Sequence, residues 1–193
     1  MAWAPGEAAL ALEGVAAPWA VAGGWALDLW LGNQTREHED LEIAVPAMFF
    51  SEIQARLEQL GLRVFDIVDG QVIALETGET PHSRMHQTWV MDPAVNGWRM
   101  DIFREPGDAR TWVYRRTGEL SAPRAWATGR TDSGVPYVAP QIVLLFKAKA
   151  KRDKDEADFS MAAPRLASGA RIWLANALRV IHPDHPWIDH LAA

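Results

Sequence analysis

The sequence predicts an α/β N-terminal half followed by a mainly helical C-terminal half. Three observations carry that reading. A short apolar run, Trp19-Ala-Val-Ala22, is followed by Gly23-Gly24 and the helix-dense segment Trp25–Leu31. Polar and apolar residues alternate at 40–45 and 98–103, the period of half-buried strands. Beyond Pro106 the strand signals shorten, and helix starts follow at Pro140, near 155 and near 168.

In chain order, Pro5 opens a helix that is expected to run to about 16, with Pro18 enforcing its end. The strand at 19–22 leads through the glycine pair into a helix closed by Gly32, a residue type suited to the left-handed turn after a helix. Asn33–Glu39 is a polar turn, and the strand at 40–45 stops at Pro46. A helix over about 47–60, ended by Gly61, precedes strand candidates near 62–68, 71–76, 86–91 and 98–103. Short strand-like pieces near 111–115 and 135–138 follow. The helix from Pro140 is expected to run on into a lysine cluster. Two more helices are expected near 155–162, capped by Asp153 or Asp155, and near 168–181, capped by Ser168, with a terminal turn at 182–187. The division follows as residues 1–105, a core, and 106–193, a mainly helical part packed on it.

A chain of 193 residues is long enough to bury a core without covalent staples, and it contains no cysteine. Disulfides, zinc–thiolate sites and thiol nucleophiles are therefore excluded, leaving oxygen and imidazole for any metal. No run of 18 apolar residues suggests a membrane span, and the N-terminus lacks the basic start of a signal peptide, so a cytoplasmic location is expected.

The formal charge of −6 argues against nucleic acid as a partner. It is unevenly spread: residues 1–105 hold 16 acidic and 6 basic side chains, and residues 106–193 hold 9 and 13. All four lysines, Lys147, Lys149, Lys151 and Lys154, fall within eight residues. On one continuous helix Lys147, Lys151 and Lys154 would share a face and could meet a polyphosphate; the alternative is a solvated helix end.

Asp40 and Glu42 are the sharpest feature, because alternation puts both on one face of a strand whose other face is Leu41, Ile43 and Val45. Paired carboxylates on a rigid strand suit Mg²⁺, a hard cation that takes oxygen ligands and retains substrate phosphates. A third acidic group is needed for a two-ion site, and Asp101 on the strand at 98–103 is the candidate. Alone, the pair reads as the solvated side of an edge strand. Gly23 and Gly24 offer backbone N–H groups at a helix start, where phosphate oxygens bind; tight strand-to-helix packing is their bland alternative. Trp89, Trp98 and Trp112 are candidates for lining an acceptor pocket.

The stretch Ala22-Gly23-Gly24…Gly32…Thr35-Arg36-Glu37-His38-Glu39-Asp40-Leu41-Glu42-Ile43 resembles the polymerase-β-like nucleotidyltransferase superfamily, and within it the aminoglycoside 2″-adenylyltransferase and lincosamide nucleotidyltransferase branch. The similarity is dense over about 22–46, thins through 47–97, and returns at Met100-Asp101-Ile102 and in Ala139–Phe159. It implies a nucleotidyltransferase fold of α/β (α+β) class, with a mixed, mostly antiparallel sheet flanked by helices and a C-terminal helical part. It also implies Asp40, Glu42 and Asp101 as ligands of Mg²⁺, two ions, with Asp101 as base on the acceptor hydroxyl. Gly23, Gly24, Arg36, His38, Lys147 and Lys154 would serve ATP. The implied reaction transfers AMP to a hydroxyl of a small molecule, an antibiotic of aminoglycoside or lincosamide type or a metabolite, and releases pyrophosphate. The branch usually has Asp where this chain has Glu42. Two rival readings are a toxin–antitoxin-type nucleotidyltransferase acting on protein or tRNA, and a catalytically silent nucleotide-binding domain.

Overall fold

The computed structural model describes residues 1–82, 86–150 and 152–192. Its elements run α1 (Pro5–Ala11), β1 (Ala20–Val21), α2 (Gly23–Leu31), β2 (Glu42–Pro46), α3 (Phe50–Gln59), β3 (Arg63–Val68), β4 (Gln71–Ala74), β5 (Gln87–Asp92) and β6 (Gly97–Glu105). After these come β7 (Thr111–Val113), β8 (Ser121–Pro123), α4 (Arg124–Ala127), β9 (Thr128–Arg130), β10 (Pro136–Val138), α5 (Pro140–Lys147), α6 (Asp153–Ala162), α7 (Ser168–Ile181) and α8 (Trp187–Ala192).

One eight-stranded sheet organises the molecule, in the order β4-β3-β5-β6-β2-β1-β10-β9. The β2–β6 and β1–β10 pairs are parallel and the other five are antiparallel, as the expected mixed, mostly antiparallel sheet requires. Two apolar clusters sit on its opposite faces. Leu41, Ile43, Val45, Val64, Val90, Met100 and Ile102 point into one, with α1 and α3 supplying Ala8, Leu12, Phe50, Ile53 and Leu57. Ala20, Ala44 and Val138 point into the other, beneath α2, α5, α6 and α7. Alternation along each strand thus decides which residues meet which layer.

Several boundaries differ from the sequence expectation for identifiable reasons. α1 stops at Ala11, not near 16, because Gly14 turns left-handed (φ 81°) well before Pro18. The Ala16 and Ala17 N–H groups then donate to Glu52 at the start of α3, at 2.6 and 3.1 Å. Residues 47–49 form a 3₁₀ turn before α3. β2 begins at Glu42, so Asp40 stands just outside the strand and is exposed. The helix from Pro140 does not run through the lysines: α5 ends at Lys147, and α6 starts at Asp153 with an acidic first turn that complements the positive end of its dipole. The shared lysine face therefore does not form, and Lys151 lies outside the described residues. Ser168 is the first residue of α7, not its cap, and Asp153 and Asp155 lie inside α6. β8, α4, β9 and α8 had no sequence expectation. Among the described residues no helix is long and apolar enough to cross a membrane.

Candidate active site

Register brings two of the three acidic positions, Glu42 and Asp101, side by side. Glu42 pairs with Asp101 across the parallel β2–β6 ladder, Asp101 pairs with Trp89 on β5, and Trp89 pairs with Phe65 on β3. One transverse row on one face thus reads carboxylate, carboxylate, indole, phenyl. Asp40 precedes this row just outside β2, near enough for its charge to act on Glu42 and Asp101, and the Asp101 N–H donates to the Leu41 carbonyl at 2.8 Å, locking the register. Asp40, Glu42 and Asp101 share an electrostatic field. Burial raises the Glu42 pKa, with further repulsion from Asp40 and Asp101 opposed by Lys147 and Arg115. Burial also pushes Asp101 up to about 6, opposed by a 2.7 Å hydrogen bond from Gln87 Nε2 and reinforced by Asp40. The buried Trp89 N–H makes no well-formed hydrogen bond and contributes only a weaker favourable interaction with Asp101. An all-oxygen donor set with crowded, under-compensated negative charge fits a hard divalent cation. As the side chains stand, no three such groups among the described residues form a ligating cluster; Glu42 instead rests against Gly23.

The two glycines explain that placement. Gly23 has φ 62°, and a Cβ there would strike the Glu42 carboxylate; a Cβ on Gly24 would strike the Arg36 and His38 side chains. Both are needed for close packing of the motif onto the start of α2, whatever else they bind. Asp28 on α2 is the hub beneath. It is buried, accepts from Thr35 Oγ1, and accepts from His38 Nε2 at 2.6 Å, so Nε2 carries the proton. His38 also packs against Trp25, with ring centroids 4.4 Å apart, and its side chain is 3% exposed. Through these bonds the polar turn is held in the shape that delivers Asp40 to β2.

The cations expected at the site are present and already paired. Lys147 Nζ lies 2.7 Å from Asp158 and 3.2 Å from Asp155, Arg36 Nε is 3.3 Å from Asp158, and the exposed Lys154 is 3.9 Å from Glu39. Asp155 and Asp158 orient lysine and arginine instead of capping α6. Beside Glu42 a cavity of about 160 Å³ runs under the helices, bordered by Gly23, Glu42, Glu105, Arg115, Lys147 and Arg152. Arg115 and Arg152 carried no sequence signal, since they come from the turn after β7 and the break before α6. Trp112 is core, 1% exposed, with its N–H directed at Glu105. Trp89 and Trp98, by contrast, pack edge to face at 5.2 Å, and Trp98 meets Phe65 at 5.2 Å. A register shift between Val90 and Met91 turns Trp98 onto the Asp101 face, the re-aiming that a bulge provides.

A family model described as aminoglycoside-2″-adenylyltransferase matches residues 7–82. The 2″-aminoglycoside nucleotidyltransferases of Escherichia coli and Klebsiella pneumoniae are 41% identical over 49 residues, 25% of this chain and 28% of theirs, so the match spans less than a third of those relatives. The solution structure of the antibiotic-resistance factor ANT(2″)-Ia aligns with a TM-score of 0.55 and 18% identity, covering 94% of this chain and 92% of that one. ANT(2″)-Ia in complex with adenylyl-2″-tobramycin gives 0.55 and 18% over 87% and 91%. The lincomycin-bound lincosamide adenylyltransferase LnuA gives 0.54 and 19% over 77% and 87%. Over residues 7–82 the chain is thus similar in sequence to the aminoglycoside-2″-adenylyltransferase family, and over most of its length it shares the fold of these solved structures.

Proposed function

We propose that this protein is a Mg²⁺-dependent nucleotidyltransferase that moves AMP from ATP to a hydroxyl of an aminoglycoside- or lincosamide-like small molecule and releases pyrophosphate. The row Glu42, Asp101, Trp89, Phe65 carries the reading, because it joins a carboxylate cluster to an aromatic surface on one side while the cation-lined cavity lies on the other. Asp40, Glu42 and Asp101 are the residues that would hold Mg²⁺, two ions by the family resemblance. When bound, Mg²⁺ supplies charge neutralisation at the reacting phosphate and the leaving pyrophosphate.

The remaining work falls to the chain itself. Asp101, with a pKa of about 6, is mostly ionised at neutral pH yet basic enough to take the acceptor hydroxyl's proton. Gly23 and Gly24 place backbone N–H groups at the start of α2 that would serve phosphate oxygens, and Arg36, Lys147 and Lys154 add positive charge, with Asp155 and Asp158 fixing Lys147 and Arg36. His38 acts through Asp28 to set the position of Asp40. Trp89, Trp98 and Phe65 offer apolar faces to the rings of an acceptor, and the neighbouring carboxylates favour a cationic one. The relatives bound to adenylyl-2″-tobramycin and lincomycin support an acceptor of this kind.

Incubation with ATP labelled at the α-phosphate, Mg²⁺ and a panel of aminoglycosides and lincosamides tests the proposal. Label is expected on at least one acceptor, and Asp40→Asn and Glu42→Gln should keep the fold while losing transfer. Wild-type turnover by either variant would remove the assigned carboxylates from the mechanism; no transfer to any of the panel by wild type would remove the acceptor class.

A further inference from the structure

Three cations around the cavity are each engaged by a carboxylate. Lys147 is shared by Asp155 and Asp158, Arg152 is 2.8 Å from Asp155, and Arg36 is bonded to Asp158. Arg115 is held differently. Its guanidinium lies 4.1 Å from the Phe103 ring centroid and 4.3 Å from that of Phe146, so two aromatic faces grip the plane. Among the described residues no carboxylate lies within ion-pair distance of it, although the charges of Glu105 and Glu42 act on it. A ring-clamped guanidinium is fixed in place by its faces while its N–H edge stays open, an arrangement suited to bidentate contact with phosphate.

Its location is equally specific. Phe103 stands two residues along β6 from Asp101, and Phe146 immediately precedes Lys147 on α5. Arg115 therefore bridges the carboxylate strand and the helical roof, and it borders the same cavity as Gly23 and Glu42. Arg116 beside it is committed elsewhere, donating to the Phe146 carbonyl at 2.9 Å. We propose that Arg115 is the main polyphosphate-binding side chain of the cavity, gripping the β- and γ-phosphates of the nucleotide. This rests on the nucleotidyl-transfer reading for the identity of the ligand, but not for the existence of an anion site.

Calorimetry with Mg²⁺ and inorganic tripolyphosphate, which carries no nucleoside, tests it directly. Arg115→Met should weaken binding by about 10–100-fold, the loss of a charge-assisted pair, while Lys149→Ala on the exposed surface should leave it unchanged. With ATP, the same variant should raise KM far more than it lowers kcat. Arg115→Lys keeps the charge without the stacking plane and should bind at an intermediate level; it decides the matter if Arg115→Met does not fold. Wild-type affinity in either folded variant overturns the proposal, as does failure of the wild-type protein to bind tripolyphosphate. Tripolyphosphate binding that depends on Arg115 in a protein that transfers no AMP would uphold the anion site and reject the transferase reading instead.

Discussion

The face of the sheet that carries the carboxylates has two unlike halves. Over β1, β2 and β10 it is roofed by α2 and the C-terminal helices, and the residues beneath are small or compact: Ala20, Ala44 and Val138. Over β6, β5 and β3 that face carries Trp89, Trp98 and Phe65, which belong to neither apolar cluster; Trp98 is 43% exposed. The opposite face shows no such division, being filled along the same strands by Val64, Val90, Met100 and Ile102. Glu42 and Asp101 mark the line where the roof ends. On the proposed reading a ligand placed there would have one end among the cations of the cavity and the other on an aromatic floor, and the contrast between the halves would divide anion binding from ring binding.

The largest expected effect comes from cutting that boundary. Asp101→Asn should lower AMP transfer by about 10²–10⁴-fold, the usual worth of a positioned base. The same change should stabilise the ligand-free protein. Because its pKa is raised to about 6, Asp101 favours the folded state below its unfolded value near 3.8 and weakens it as pH rises through 6. Stability of the wild type should therefore fall between about pH 4 and 6 by a component that Asp101→Asn removes. At pH 7 the variant should gain about 1–3 kcal/mol, read as a higher melting temperature. A melting temperature that drops on this substitution would show that the buried charge is compensated.

Next in size is the support beneath the boundary. Asp28→Ala strips Thr35 and His38 of their shared acceptor and should cost about 2–4 kcal/mol, with transfer falling further than stability alone explains because Asp40 loses its fixed approach. Comparing activity at a temperature where both proteins are folded separates the two effects. The smallest change is expected on the open floor. Trp98→Ala should raise the acceptor's KM about 3–10-fold, leave the KM for ATP alone, and hardly move the melting temperature. An equal rise in both constants would mean the two halves do not divide the substrates as described.

Much of the boundary was legible in the sequence because it depends on short-range pattern. Alternation at 40–45 and 98–103 put Leu41, Ile43 and Ile102 on one face and Glu42 and Asp101 on the other, and the glycine pair marked the start of α2. What escaped was set by distant partners. The piece at 135–138 looked like a minor strand, yet it is β10, buried between β1 and β9, because only the folded chain shows that Val21 lacks a neighbour without it. Arg115 carries no motif, since its environment is made by Phe103 and Phe146 from two other elements. The lysine cluster misled for the same reason: spacing suggested one helix, while Asp155 and Asp158 draw Lys147 inward and the chain breaks before Asp153.

The insertion of β10 beside β1 also bears on how the molecule is made. Val21 is paired with Ile43 early in the chain, but its other edge must wait for Tyr137. On a ribosome the strand before the glycine pair emerges long before the strand that covers it, and the edge that β10 will cover has no partner in the interval. Pairings this distant in sequence close slowly. The carboxylates thus reach their final surroundings only after β10 has emerged, and a chain stalled before residue 136 would present an open edge to its neighbours.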